Sequence, residues 1–293
     1  MRIGQVSFFT AARRAVAATA AGASALVASG VAIAQTGQPV DWQIAMQTPV
    51  TATAQNMYGF HTALVWVITI ITLFVGALLL WCVVRFNERK NPTPSKTSHN
   101  TMIEVAWTVI PILILVGIAI PSFRILREQL IIPEPAVIVK ATGHSWYWSY
   151  EYADDQGGFV FDSIMLEDDE AAAAGLPRLL AVDNEVVVPV DTVVKLQVTS
   201  ADVLHAFALP SFGLKIDAVP GRLNETWFQA EREGIYYGQC SELCGARHAF
   251  MPIAIRVVSQ AEYAQWLEEA QSRFASTGFG ATRVAATIEE SAR

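Results

Sequence analysis

The sequence predicts a two-helix transmembrane hairpin followed by an all-β domain, either a sandwich or a barrel. Of the 293 residues, 53% are hydrophobic and only 16% are charged, whereas about 25% are charged in an ordinary soluble domain. Two long uncharged apolar runs lie in the first half of the chain. Beyond residue 134 the pattern changes to short alternating stretches separated by glycine and proline, which is typical of β-strands.

The first 34 residues have the features of a cleaved signal peptide. Three arginines precede a stretch of small apolar residues, which ends in an Ala-Ile-Ala cleavage pattern at 32–34. The alternative is a retained first membrane helix, which the composition rich in alanine, serine and threonine disfavours. After cleavage, residues 35–61 would form an exported N-terminal segment.

The two apolar runs predict membrane-spanning helices at 62–84 and 103–125. The first has 23 residues and reaches roughly 34 Å as a helix, enough to cross the hydrocarbon core of a bilayer. The loop between them, 85–102, carries four basic residues, whereas residues 35–61 carry none. Because basic loops stay in the cytoplasm, we expect the rest of the chain on the periplasmic side of a bacterial inner membrane.

The predicted periplasmic domain spans residues 134–260 and is acidic. From residue 130 onward there are 23 acidic and 11 basic side chains, a balance that disfavours a nucleic-acid-binding protein. An excursion at 167–175, acidic and rich in alanine, is expected to be a surface loop or a short helix. A terminal helix is predicted at 261–271 and a flexible tail at 272–293.

The stretch that carries chemistry has the spacing C-x3-C-x3-H-x2-M. It contains Cys240, Cys244, His248 and Met251, and His205 lies upstream. Thiolate, imidazole and thioether ligands on a β-sandwich are typical of copper electron-transfer sites. A site with one copper needs one cysteine, and a second cysteine four residues later can bridge two metals.

Two other uses of these cysteines stay open from the residues alone. A Cys240–Cys244 disulfide is permitted in an oxidising compartment, but it leaves the two histidines and Met251 unexplained. A structural zinc site accepts two cysteines and two histidines, but Met251 is then superfluous. Cys82, in the first apolar run, is most simply a buried apolar residue.

A second cluster packs five large aromatic rings into residues 143–152. Strand alternation predicts that most of these rings belong to the core and to cross-strand pairs. In an electron-transfer domain, one ring at the surface near the metal would shorten the path for electrons.

These motifs together resemble subunit II of haem–copper cytochrome c oxidases of the bacterial aa3 kind, over about residues 55–260. The residues that carry the resemblance are Gly143-His-Ser-Trp-Tyr-Trp-Ser-Tyr-Glu151, Asp202-Val-Leu-His-Ala-Phe207, Lys215-Ile-Asp-Ala-Val-Pro-Gly-Arg-Leu-Asn224 and the Cys/His/Met stretch. The resemblance implies a cupredoxin-like Greek-key barrel that holds the dinuclear copper centre CuA.

The resemblance also implies a role for each residue of the metal stretch. Cys240 and Cys244 would bridge the two coppers, and His205 and His248 would each ligate one of them. The weak axial ligands would be the thioether of Met251 and the backbone carbonyl of Glu242. The Glu242 side chain would reach a magnesium ion at the interface with subunit I.

Electron entry and docking are likewise implied by the resemblance. Trp146 would receive electrons from cytochrome c, and the acids that match the docking face are Glu151, Asp162, Asp183 and Asp202. The plainer alternative for each acid is solubilising charge. The haems would lie only in the partner subunit, and the expected partners are subunit I, subunit III, cytochrome c and membrane lipid.

Glu104 has two interpretations. Thr101-Met-Ile-Glu104 reads as a capping box for the second membrane helix, which would explain the carboxylate by itself. The resemblance adds that this residue lies at the entrance of a proton path into subunit I. From the sequence alone we favour the cap.

The function that follows from the resemblance is that of the electron-accepting subunit of cytochrome c oxidase. Oxygen would be reduced to water in subunit I, coupled to proton pumping. The first rival is a quinol oxidase subunit II, which has the same fold without copper, and the complete ligand set argues against it. The second is a membrane-anchored copper-binding or assembly protein, which needs neither the aromatic motif nor a two-helix anchor.

Overall fold

A computed structural model of the chain describes residues 37–153 and 156–274. The predicted signal peptide and the part of the predicted tail beyond Phe274 lie outside the described residues. Two long helices come first, α1 (Ala52–Arg85) and α2 (Thr101–Leu130). They contain the predicted spans 62–84 and 103–125, and both are long and apolar enough to cross a membrane.

The apolar side chains of both helices point outward. Trp66, Trp81 and Phe123 are each more than 60% exposed. A helix that is apolar all round and unburied within its own chain suits a lipid environment or contact with other membrane helices.

The start of α2 differs from the predicted capping box by one residue. The N-cap is Asn100, whose side-chain oxygen accepts from the backbone N–H groups of Met102 and Ile103. Thr101 is therefore the first helical residue rather than the cap. Glu104 still closes the turn, because its carboxylate accepts from the Asn100 N–H at 3.2 Å. An asparagine amide oxygen at the preceding position satisfies two free N–H groups, so the helix starts there.

The rest of the chain forms two five-stranded sheets. The first has the strand order β3-β2-β1-β5-β8 and the second β4-β10-β9-β6-β7. The strands are β1 (Val137–His144), β2 (Tyr147–Tyr152), β3 (Val160–Ser163), β4 (Val186–Pro189), β5 (Val193–Ser200), β6 (His205–Leu209), β7 (Leu214–Ala218), β8 (Asn224–Gln229), β9 (Gly234–Cys240) and β10 (Pro252–Val258).

Alternating valines and leucines explain the first sheet. Buried and half-buried residues alternate strictly along β1 and β5, which pair in parallel with Val139 opposite Leu196. One face of this sheet is therefore in the core and the other faces outward. The second sheet is buried more completely, since every residue of β6 is buried. The predicted class, two apolar helices followed by an all-β domain, is confirmed.

Two short helices accompany the strands. The acidic excursion contains α3 (Asp168–Ala173), and α4 (Gln260–Phe274) follows β10. The terminal helix is longer than the predicted 261–271 and includes the first three residues assigned to the tail. Its end is held by ring stacking, with the Phe274 centroid 4.9 Å from that of Phe161.

Side-chain to backbone hydrogen bonds join the hairpin to the β domain. The Thr51 hydroxyl donates to the Phe212 carbonyl at 2.9 Å, and the Trp227 indole donates to the Glu128 carbonyl at 3.2 Å. Gly213, in the left-handed region with φ of 67°, allows close approach, because a Cβ there would lie 2.9 Å from the Ala54 Cα. The start of α1 and the end of α2 are thus both anchored to the base of the domain.

Candidate metal centre

The predicted ligands converge at one end of the second sheet. His205 is the first residue of β6 and Cys240 is the last of β9. These strands are antiparallel, with Phe207 opposite Cys240, so the start of one lies beside the end of the other. Cys244 follows in the loop between β9 and β10. The ligand atoms of His205, Cys240 and Cys244 all lie within 4.8 Å of one another, a spacing that a metal ion could bridge.

Further donors surround the two thiols. The Cys240 and Cys244 sulfurs are 3.9 Å apart, about twice the disulfide length of roughly 2.05 Å. The Cys244 sulfur lies 3.5 Å from His248 Nδ1 and 3.5 Å from the Met251 sulfur. The backbone carbonyl of Glu242 lies 3.4 Å from the Cys240 sulfur. The geometry is that of a ligand cluster around a thiol pair rather than of a bonded disulfide.

The thiols are buried and close enough to oppose each other's ionisation. Burial, and after it the neighbouring Cys240, raises the pKa of the Cys244 thiol to about 12. Two thiolates this close in an apolar setting require a cation to stabilise them. Metal binding at this site should therefore release protons.

Asp202 holds the imidazole of His205 in a defined orientation. Burial tends to raise the pKa of the Asp202 carboxyl, but hydrogen bonds from His205, Val203 and Ser145 outweigh it and hold the pKa well below its usual range. The carboxylate can then only accept, so His205 Nε2 donates to it at 2.8 Å. The lone pair is left on Nδ1, which faces Cys240 at 3.8 Å. A carboxylate behind a histidine is the usual support of a metal ligand.

Gly143 leaves the space that His205 occupies. A Cβ at this position would lie 2.8 Å from the His205 ring carbon Cδ2, closer than side chains tolerate. Trp148 also packs edge-on against this ring, with its centroid 6.0 Å away. Our sequence interpretation missed Gly143 and the role of Asp202 toward His205. The position of Asp202 three residues before the histidine was a weak signal, and Gly143 had none.

Trp146 lies directly against the metal-binding loop. Its indole N–H donates to the backbone carbonyl of Cys244 at 3.0 Å. Gly245, with φ of 116°, makes room for the ring, since a Cβ there would approach Trp146 Cζ2 to 3.1 Å. Other rings of the aromatic cluster, such as Trp148 and Tyr150, are at most 1% exposed and belong to the core.

The four predicted docking acids lie on different elements of the β domain. Asp202 accepts from the Ser145 N–H at 2.7 Å, which places it beside Trp146. Asp183 accepts from the N–H of Ile164, just beyond the end of β3. Asp162 is exposed on β3.

The fourth acid, Glu151, lies in an ion pair. It lies toward the far end of β2, where its carboxylate is 2.8 Å from the ammonium group of Lys140. Glu104 is remote from the whole cluster. It lies in the first turn of α2, whereas the β domain follows the other end of that helix.

The comparisons with known proteins agree over most of the chain. Residues 39–125 match the family model of the cytochrome c oxidase subunit II transmembrane domain, and residues 137–258 match that of its periplasmic domain. The chain is therefore a membrane protein with a periplasmic domain, as the apolar helices predicted.

Individual relatives extend this match. A Rickettsia prowazekii protein named as a probable cytochrome c oxidase subunit 2 is 50% identical over 230 residues, which is 78% of this chain and 73% of the relative. Cytochrome c oxidase subunit 2 of Cereibacter sphaeroides is 43% identical over 275 residues, covering 86% of this chain and 90% of the relative.

Among solved structures, the periplasmic domain of subunit II from Bradyrhizobium japonicum is 60% identical. It covers 49% of this chain and 99% of that chain, with a TM-score of 0.46. The family matches and the relatives confirm the resemblance drawn from the motifs, and this chain belongs to the cytochrome c oxidase subunit II family.

Proposed function

We propose that this chain is the electron-entry subunit of the oxidase. It accepts electrons from cytochrome c and passes them to haem in subunit I, where oxygen is reduced to water and protons are pumped. The observation that carries the proposal is the cluster of two thiols, two imidazoles and one thioether at the open end of the second sheet.

The donor set fits the dinuclear copper centre CuA. The residues that would hold it are His205, Cys240, Glu242 through its carbonyl, Cys244, His248 and Met251. The buried thioether, 1% exposed, favours copper over zinc because thioethers are soft ligands that zinc sites rarely use. When bound, the copper pair supplies a redox centre that takes up one electron at a time.

The chain's own residues keep this centre dry and rigid. His205 is fully buried, its Nε2 donates to Asp202, and the lack of a side chain at Gly143 leaves room for its ring. A site that cannot rearrange changes little between two oxidation states, which suits rapid electron transfer. The hydrogen bond from Trp146 to Cys244 joins a half-buried ring to a residue of the thiol pair, and this bond is the proposed route of entry.

The remaining partners are proposed from the surfaces next to the centre. Glu242 is exposed while its carbonyl faces Cys240, so its carbonyl would serve the copper site and its carboxylate would be free to bind a magnesium ion shared with subunit I. Leu243 beside it is 78% exposed, an apolar surface that suits burial against another subunit. Subunit III would be a further partner in the assembly, and the assembly would lie in a bacterial inner membrane. Glu104, which caps α2, would lie at the entrance of the proton path.

The first test is the metal content of the assembled oxidase after substitution of one bridging cysteine. We expect two coppers in this subunit of the wild type and loss of the CuA optical spectrum in Cys240→Ser. Cys82→Ser is the matched control, because Cys82 lies in α1 and is exposed, and it should keep both coppers. A wild-type site that holds only zinc, or a single copper, would contradict the proposal.

The second test concerns the entry route through Trp146. Phenylalanine keeps an aromatic six-membered ring but lacks the indole N–H that donates to the Cys244 carbonyl. Trp146→Phe should therefore slow reduction of the copper centre severely. The stability cost of one hydrogen bond is only about 0.5–1.5 kcal/mol, so copper content and cytochrome c binding should survive. Stopped-flow reduction measures the rate, with Trp266→Phe, packed against Tyr152 and remote from the ligands, as the control. A wild-type rate in Trp146→Phe would refute the assigned route.

A further inference from the structure

A cavity of about 500 Å³ lies at the base of the β domain, away from the metal centre. The first turns of α1, the last turns of α2 and strand β8 enclose it. Its lining residues are Ala52, Thr53, Asn56, Arg124, Arg127, Glu128, Ile131 and Trp227. The electron-transfer role proposed above uses none of these residues.

Two guanidinium groups face this cavity without a protein partner. Arg124 and Arg127 are three residues apart on α2 and so lie on the same side of the helix. Across residues 37–153 and 156–274, neither guanidinium has an ion pair or a hydrogen bond. The carboxylate in the lining, Glu128, accepts from the Asn56 amide at 3.0 Å. The lining therefore carries two positive charges and one negative charge, a net charge of +1.

The end of the apolar run of α2 indicates that the cavity lies near the level of the phospholipid headgroups. The uncharged run of α2 ends at Phe123, and Arg124 is the next residue. Trp227, whose indole N–H donates to the Glu128 carbonyl, adds an aromatic ring of the kind that is enriched at membrane interfaces. Ala52 and Ile131 give the cavity apolar walls next to the basic groups. This combination of apolar and cationic lining matches an amphipathic anion.

We propose that this cavity binds the phosphate of an anionic phospholipid from the periplasmic leaflet. The two guanidinium groups would bind the phosphate oxygens through charge-assisted hydrogen bonds, and the acyl chains would follow the exposed apolar faces of α1 and α2. Free phosphate shares the charge but gains nothing from the apolar walls. The site would also explain two arginines at the outer end of a membrane helix, where basic residues are otherwise depleted.

The test uses the full-length chain in bilayer discs of phosphatidylcholine, with and without phosphatidylglycerol. Native mass spectrometry counts the retained phosphatidylglycerol, and a melting curve reports its effect on stability. Replacing both arginines, R124Q with R127Q, should weaken phosphatidylglycerol binding about thirtyfold, and each single variant about fivefold. The single variants decide the question if the double variant does not fold. R124K with R127K, which keeps both charges, should retain the lipid.

The matched control is R178Q with R222Q, which removes two positive charges from the β domain outside the cavity. It should retain phosphatidylglycerol at the wild-type level. Equal retention by the R124Q/R127Q variant would overturn the proposal. So would full competition by inorganic phosphate alone, which would identify a simple anion site. Loss of subunit I from the purified oxidase with unchanged lipid retention would identify the arginines as a protein contact instead.

Discussion

The metal-binding end of the β domain and the membrane hairpin are stabilised in opposite ways. At the metal end, some bonded partners are far apart in sequence, such as Trp146 and Cys244, which are 98 positions apart, and His205 and Cys240, which are 35 positions apart. Within the predicted spans 62–84 and 103–125, side-chain hydrogen bonds are local, such as those from Thr62 to the Tyr58 carbonyl and from Thr69 to the Val65 carbonyl, four residues earlier. The structure of the metal-binding end therefore depends on contacts between distant parts of the chain, whereas that of the membrane hairpin depends on the apolar composition of its helices.

The largest expected effect is on the free energy of unfolding, when one tryptophan of each region is replaced by alanine. Trp148 is fully buried beneath the metal ligands, whereas Trp81 in α1 is 63% exposed. Trp148→Ala should lower the free energy of unfolding by about 3–5 kcal/mol, because it leaves a cavity under His205 and Phe207. Trp81→Ala should change it by no more than about 0.5 kcal/mol. Thermal unfolding of the full-length chain measures both changes. Equal losses of stability in the two variants would contradict the proposed difference between the two regions.

The next expected effect is on copper affinity, when the carboxylate that supports His205 is replaced without removing a buried side chain from the core. Asp202→Asn leaves an uncharged partner for His205 Nε2, so the imidazole is oriented and polarised less well. We expect copper affinity to fall about 10–100-fold, measured by competition with a chelator of known affinity. Asp168→Asn on the acidic excursion, where the carboxylate pairs with Arg178, is the control and should bind copper normally. Unchanged affinity in Asp202→Asn would show that His205 needs no support from that carboxylate.

The smallest effects are expected for two of the predicted docking acids, Asp183 and Glu151. Glu151 is five residues beyond Trp146, about 16 Å along an extended strand, which exceeds the screening length of roughly 8 Å at physiological salt. Asp183 lies next to the end of β3, which pairs with the start of β2. Asp183→Asn should therefore raise the KM for cytochrome c about twofold to fivefold, and Glu151→Gln should raise it less. Steady-state kinetics at two salt concentrations measure this, and a larger effect at Glu151 would reverse the assignment.

The features that depend on composition, alternation or spacing over a short stretch of chain could be predicted from the sequence alone. An uncharged apolar run of about 20 residues has few stable structures besides a membrane helix, so 62–84 and 103–125 could be predicted from composition. Alternation of Val194, Leu196 and Val198 predicted a strand at 192–199 in the same way, and the structure has β5 there. The spacing of Cys240, Cys244, His248 and Met251 identified the ligands, because short loops bring such residues together whatever surrounds them.

The groups that hold the metal ligands in place come from distant parts of the chain, so they could be identified only from the tertiary structure. The space at Gly143 and the carboxylate of Asp202 matter because β1 and the turn before β6 meet at His205. The paired arginines of α2 form a cavity only because β8 places Trp227 against the end of that helix. Pattern rules describe neighbours along the chain, whereas these contacts arise from the packing of two sheets and a helical hairpin, which local sequence does not encode.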